Sequence, residues 1–288
     1  MSIGDAEIKT QERVIRFFKD PEILGYQYIG NLSDYQNKNI KEDRLRQYLR
    51  LKGYADKLVD AAVMQLQQEA GNLSRGVYDA NKTVYSRLKY GIPVSESPEK
   101  PPVTVQLVDE EKPLNNDFAI AEEVTVVEQS EKRPDLVVYL NGIAVAVIEL
   151  KRSSISVSEG IRQNLTNQKN SFIQSFFTTM QFCMAGNESE GLRYGTLLTG
   201  EKFYMEWKDD GFKEHEEERD PADVRISKTC EGIENKLLKQ IYAMFDKERF
   251  IDLIMNFVVF DKGIKKVCRY NQYFGIKRTQ QRLTNLRA

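Results

Sequence analysis

Asp135, Glu149 and Lys151 are the residues whose types and spacing could do chemistry: two carboxylates and an ammonium at the ends of two strongly apolar runs. Residues 136–140 and 143–150 are aliphatic and β-branched, with Asn141-Gly142 between them, which is the pattern of a β-hairpin buried on both faces. Charges at the open end of such a hairpin are costly unless they bind a metal, a phosphate or each other. Hard oxygen ligands with no His or Cys favour Mg2+ or Mn2+ with several waters retained. A divalent ion there would stabilise charge on a phosphoryl oxygen and lower the pKa of a bound water, while Lys151 orients or helps deprotonate the nucleophile and pairs with the phosphate. Phosphodiester hydrolysis is the reaction class that fits. No G-x-S-x-G, G-x-x-x-x-G-K-[ST] or G-x-G-x-x-G string competes with it.

Glu-x-Lys alone carries little information, since it also occurs at Glu7/Lys9, Glu110/Lys112, Glu206/Lys208 and Glu234/Lys236. Only Glu149/Lys151 closes a run as apolar as residues 144–148. Hairpin register then decides whether a site exists. A two-residue turn at Asn141-Gly142 pairs Leu140 with Ile143 and Asp135 with Ile148, placing Asp135 on the face opposite Glu149. A three-residue loop, Leu140-Asn141-Gly142, pairs Tyr139 with Ile143 and Asp135 with Val147, and puts Asp135, Glu149 and Lys151 on one face. The expected hairpin has that loop, or a bulge with the same effect, and the two carboxylate-bearing Cβ atoms lie roughly 6–8 Å apart.

The elements that must position this hairpin follow from periodicity. Helices are expected over residues 5–19, 41–51, 55–69 and 76–90, with a Pro- and Ser-rich connection over 92–102. On the first helix Glu12 shares a stripe with Ile8 and Ile15, which aims a carboxylate at the core. Extended stretches are expected near Tyr26–Ile29, at Val103–Val108, within Phe118–Gln129, in the hairpin, and near Gln181–Met184, Tyr194–Leu198 and Phe203–Trp207. Ser158 opens a helix running to about Met180. Residues 208–222 read as an exposed charged loop, residues 231–245 as a helix, and the tail from Lys262 to Ala288 is basic with no acid at all. Helices first, then a sheet with a long helix inserted, point to an α/β or α+β domain built on a mixed sheet.

A formal net charge of −1 excludes a uniformly basic nucleic-acid clamp, so phosphate contacts must come from local patches. Three dispersed cysteines and a single histidine argue against a disulfide framework or a structural zinc site. With no basic-then-apolar leader and no run of about 18 apolar residues, a soluble cytoplasmic protein with no membrane partner is expected.

Pro134-Asp135, thirteen intervening residues and Glu149-Leu150-Lys151 resemble the PD-(D/E)-x-K nuclease motif. The whole string from Arg133 to Lys151 resembles, more narrowly, the N-terminal nuclease region of the R (restriction) subunit of type I restriction-modification enzymes. Glu159-Gly-Ile-Arg-Gln163 is similar to that family's Gln-containing helix, and Phe257–Phe260 followed by Arg269–Phe274 to the lead-in of its ATP-driven translocase. The resemblance implies a restriction-endonuclease-like mixed sheet flanked by helices and a Mg2+-dependent DNA endonuclease. In it Asp135, Glu149 and the Leu150 carbonyl would be metal ligands, Lys151 the catalytic lysine, and Glu12 the N-terminal helix acid. Gln163, Gln168 and Arg152 would contact DNA or support the site. The family's helix motif is Gln-x-x-x-Tyr, and Asn167 stands at the Tyr position here, with Gln168 next to it as a substitute.

The resemblance further implies double-stranded DNA and the methyltransferase (M) and specificity (S) subunits as partners, and ATP only through a motor domain beyond this chain. Gln272 would contact nucleotide in that full-length protein. Residues 1–210 would then be the nuclease domain, 211–261 a charged loop and helical linker, and 262–288 the start of the translocase, making this chain a fragment. A nuclease-like docking module and a stand-alone repair nuclease are the competing readings.

Overall fold

The two apolar runs at residues 136–140 and 143–150 form the centre of the fold, and the other elements cover or extend them. The computed structural model describes residues 3–95, 97, 99, 101–209 and 219–286. The chain opens with α1 (Ile3–Lys19) and β1 (Gln27–Asn31), followed by α2 (Glu42–Leu51), α3 (Asp56–Gly71) and α4 (Val77–Tyr90). Two short strands, β2 (Ile92–Val94) and β3 (Val103–Val105), pair with each other; β4 (Phe118–Glu122) joins the main sheet. A small ribbon, β5 (Val126–Val127) and β6 (Glu131–Lys132), precedes the central hairpin, β7 (Leu136–Leu140) and β8 (Ile143–Leu150). Then come α5 (Val157–Asn167), β9 (Phe182–Asn187), β10 (Gly191–Gly195), α6 (Pro221–Glu231), α7 (Lys236–Phe245) and α8 (Lys247–Asn256). A second hairpin, β11 (Val258–Asp261) and β12 (Ile264–Val267), leads into α9 (Tyr270–Asn285).

The main sheet has six strands in the order β1-β4-β7-β8-β9-β10. It is mixed: β1 runs parallel to β4 and β8 to β9, while the other neighbours are antiparallel. This is the expected α+β architecture. Side-chain alternation sorts β7 into two layers. Leu136, Val138 and Leu140 pack with Phe18 of α1, Leu45 of α2, and Ile241, Phe245 and Phe250 of α7 and α8. Val137 and Tyr139 face the other way, onto Phe176 and Phe177. Each fully buried aliphatic or aromatic side chain here contributes about 1.5–3 kcal/mol, so the hairpin is a rigid platform for whatever its ends carry.

Several elements depart from the expected pattern. The helix after Lys151 ends at Asn167 instead of near Met180. Gln168 donates back to the Asn164 carbonyl, and the chain turns so that a 3₁₀ turn over Gln174–Thr178 delivers Phe176 and Phe177 to the lower layer. At 203–207 the only strand-like pairing is the bridge of Met205 to Tyr194. Of the expected charged loop at 208–222, residues 210–218 lie outside the described residues. Within 221–261, Ile226, Leu237, Ile241, Phe245 and Phe250 belong to the same core as the central hairpin. The boundary drawn at 261/262 falls inside a hairpin, and Tyr273 and Phe274 of α9 pack on Trp207. Gln272 sits in the first turn of α9, where its side chain accepts from the Arg269 N–H at 2.9 Å, so its amide oxygen serves as a helix cap.

Candidate active site

The turn of the central hairpin has two residues, not three: Leu140 pairs with Ile143, and Asn141 and Gly142 adopt left-handed φ values of +52° and +82°. Asn141 is pinned there. Its Nδ2 donates to the Leu107 carbonyl and to Asn116 Oδ1, both at 2.8 Å, and its Oδ1 accepts from the Asp117 N–H at 2.7 Å. A Cβ at position 142 would lie 2.7 Å from the Lys41 carbonyl and the Leu45 nitrogen, so only glycine fits. Parity is restored by a bulge. Tyr139 pairs with Ala144 but Val138 with Ala146, which leaves Val145 as the extra residue. Beyond it Leu136 pairs with Ile148, and the continued register sets Asp135 opposite Glu149 on one face, with Lys151 on the same side.

The three charged groups meet. Asp135 Oδ2 accepts from the Leu150 N–H at 2.7 Å and lies 3.9 Å from Lys151 Nζ. Lys151 Nζ also donates to the Leu150 carbonyl at 2.9 Å and to Glu7 Oε1 at 3.2 Å. Glu149 is fully buried; its Oε2 accepts from Gln163 Nε2 on α5 at 2.7 Å, its Oε1 meets no hydrogen-bond donor among the described residues, and its carboxyl hydrogen-bonds to that of Asp135 when the pair holds a proton. Burial, only partly countered by Lys151 and the Leu150 N–H, pushes the Asp135 carboxyl up to about 6. Burial and then repulsion from Asp135 raise the Glu149 carboxyl well above its ordinary value. Burial works against the Lys151 charge, yet Asp135, Glu149 and Glu7 together outweigh it and raise its pKa. Glu123, held in a left-handed backbone conformation at the end of β4, adds further negative charge to the site.

The residue expected as the helix acid turns to solvent. Glu12 is exposed, as is Ile8, whereas Glu7, Gln11, Val14 and Phe18 form the inward stripe at i, i+4, i+7 and i+11. Glu7 therefore reaches Lys151, and Gln11 donates to Glu122 at 3.0 Å and to Glu123 at 3.1 Å. Val14, Ile15, Phe17 and Phe18 are all buried, so helical spacing alone does not distinguish Glu7 from Glu12. Gln163 joins the site, but Gln168 does not: it is buried, accepts from the Leu198 N–H at 2.6 Å and lies against Cys183. Arg152 is half-buried in the loop just past Lys151. Glu123, unremarkable in the sequence, comes near the site only because β4 pairs with β7.

These residues fit a hard divalent cation. Three carboxylates, Glu7, Asp135 and Glu149, bear on one ammonium, while Glu123 is paired with Arg133 at 2.6 Å; the most deeply buried of the three keeps an oxygen with no donor, so the pocket is short of positive charge. Among the described residues no group of three or more His, Cys, Asp or Glu side chains forms a closed cage. An ion here would rely on the two facing carboxylates, a backbone carbonyl and water, as Mg2+ commonly does.

Residues 7–203 match the type I restriction enzyme R protein N terminus. The chain belongs to that family. It is 28% identical over 188 residues to MjaVIIIP of Methanocaldococcus jannaschii, a candidate type I restriction enzyme endonuclease subunit, covering 63% of this chain and 16% of that subunit. It is 26% identical over 215 residues to MjaIXP of the same organism, likewise a candidate endonuclease subunit, covering 70% of this chain and 20% of the relative. The HindI endonuclease subunit of Haemophilus influenzae is 26% identical over 210 residues, 68% of this chain and 18% of that subunit. The chain spans a fifth or less of the length of these relatives.

In this R protein N terminus, Gly160 is what lets α5 bring Gln163 to Glu149. A Cβ there would lie 2.9 Å from Ala185 Cβ and 3.4 Å from Glu149 Cβ. Gly160→Ala gains about 1 kcal/mol of helix propensity, but it forces α5 off the sheet at an overpacking cost of about 1–3 kcal/mol. A lowered melting temperature is expected. Unchanged melting would show that the helix seat is looser than this geometry. No helix among the described residues is long and apolar enough to cross a membrane.

Proposed function

We propose that this domain is the Mg2+-dependent DNA endonuclease of a type I restriction R subunit and hydrolyses phosphodiester bonds of double-stranded DNA. The observation that carries the proposal is the fully buried Glu149, facing Asp135 across the hairpin with one carboxylate oxygen unpaired, beside a lysine kept charged. Asp135 and Glu149, with the Leu150 carbonyl at their side, would hold Mg2+ or Mn2+. When bound, the ion supplies positive charge for the phosphoryl oxygens and acidifies a coordinated water.

The protein's own residues do the rest. Gln163 fixes the outer oxygen of Glu149, and the Leu150 N–H fixes Asp135, so both carboxylates are oriented before an ion arrives. Glu7 takes the place expected of Glu12: it anchors the Lys151 ammonium and, with the two carboxylates, favours its protonated form. Lys151 therefore acts as a donor to the scissile phosphate or to the attacking water, not as a base. In the longer protein, methyltransferase and specificity subunits would choose the DNA, and an ATP-driven motor would deliver it.

Titration of Mn2+ into the protein, followed by calorimetry, tests the reading. Saturable binding is expected for the wild type, lost in Asp135→Asn and weakened about 10-fold in Gln163→Leu, which removes the carboxylate's orienting donor. A wild type that takes up no ion would leave a docking module and not a nuclease.

A further inference from the structure

Arg133 stands two residues before Asp135, so their Cα atoms are at most about 7 Å apart. Pro134 restricts Arg133 to extended backbone. The strand beside it fixes the same segment: the Val124 N–H donates to the Pro134 carbonyl at 3.0 Å and the Glu123 N–H to the Asp135 carbonyl at 2.9 Å. Arg133 Nε pairs with Glu123 Oε2 at 2.6 Å, and the other oxygen of Glu123 accepts from Gln11 Nε2 at 3.1 Å. Glu123 makes both contacts from a left-handed backbone, φ +51°, which a residue with a Cβ adopts at a cost. Arg133 keeps 56% of its side chain in solvent, and an exposed ion pair stabilises too little to repay that strain. What the contact does is hold the guanidinium by its Nε edge beside Asp135. A guanidinium presents five donors in a rigid fork, so donors remain for a second anion.

Resting on the proposed nuclease reading, we propose that Arg133 binds the DNA backbone phosphate next to the scissile one, with Glu123 and Gln11 as the bracket that holds its guanidinium in place. Lys151 Nζ, 3.9 Å from Asp135 Oδ2, meets the scissile phosphate, and Arg133 meets its neighbour on the same strand. Arginine suits this task because its fork matches two phosphate oxygens at once. The contact positions the strand and reads no base, so it serves every DNA sequence alike.

Binding of a fluorescent DNA duplex to the metal-free protein, followed by anisotropy between about 50 and 200 mM salt, tests the contact without reference to activity. Arg133→Ala is expected to bind several-fold more weakly and to lower the slope of log affinity against log salt by about 1, whereas Arg133→Lys keeps the slope. Glu123→Gln separates a phosphate contact from a purely structural ion pair. It should bind the duplex at least as tightly as the wild type, because it removes a negative charge and spares the arginine; a structural pair would make both variants fall together. Arg133→Ala that binds like the wild type, a parallel loss in Glu123→Gln, or a wild type that binds no duplex would overturn the inference. Calorimetric Mn2+ titration of the same proteins keeps the two readings apart. A lowered slope in a protein that takes up no Mn2+ would keep the Arg133 contact and remove the cation site. Normal Mn2+ uptake with an unchanged slope would do the reverse.

Discussion

Asp135→Ala in the full-length R subunit that carries this domain is expected to abolish DNA cleavage, by about 10³-fold or more, while ATP hydrolysis stays near the wild-type rate. Asp135 is one of only two carboxylates facing each other across the hairpin mouth, so its removal takes away half of the charge that would hold the ion. Its Oδ2 also accepts the Leu150 N–H at 2.7 Å, and that hydrogen bond aims the carboxylate at Glu149. Stability should move little, because the lost hydrogen bond, about 1–3 kcal/mol for a buried group, is offset by relief of the repulsion from Glu149. Plasmid cleavage and ATP turnover measured side by side decide the matter. Cleavage within tenfold of wild type would remove Asp135 from the chemistry, and joint loss of cleavage and ATP hydrolysis would make it a structural residue.

The second large effect is a pH dependence of stability that a cation should reverse. In metal-free protein the Asp135 carboxyl titrates near 6, above its ordinary 3.8, so the folded state keeps a proton that the unfolded chain releases between about pH 4 and 6. Its stabilising contribution is therefore complete below pH 4 and is lost as pH rises through 6, on the order of 3 kcal/mol. Glu149 has the same sign over a range reaching higher. Other carboxylates, such as Glu69 and Asp109, are held low by Arg87 and Lys52 and act in the opposite direction, so the useful quantity is the difference between two proteins. Relative to wild type, Glu149→Gln should grow more stable as pH climbs from 5 to 8, because it cannot ionise and no longer repels Asp135. Mn2+ should restore the wild type and not the variant, with an effect that increases with pH as the ligands deprotonate. Melting curves that stay parallel across this range would mean that the two carboxylates are better solvated than their burial implies.

Much of this was legible in the residues. A near-continuous apolar run is stable only with both faces covered, so residues 136–150 had to be a central hairpin. Charges at its open end then had to answer to one another. The need for an odd residue count or a bulge to bring Asp135 and Glu149 together follows from the period of two along a strand, and the bulge at Val145 meets it. Which device is used was not legible, because the turn length depends on Asn116, Asp117 and Leu107, residues distant in sequence that bind the Asn141 side chain.

The same limit explains Glu7 and Glu123. Helical spacing allows α1 two inward edges, and only docking of Val14 and Phe18 against the sheet selects the one that carries Glu7 and turns Glu12 to solvent. Glu123 enters through strand pairing. By itself, then, the sequence determined the carboxylate pair, the lysine and the strands that carry them, because local periodicity and the cost of burying charge act within a few residues. Tertiary structure alone decided which carboxylates and amides surround that pair, because those contacts depend on how distant elements pack, and packing is a property of the whole chain.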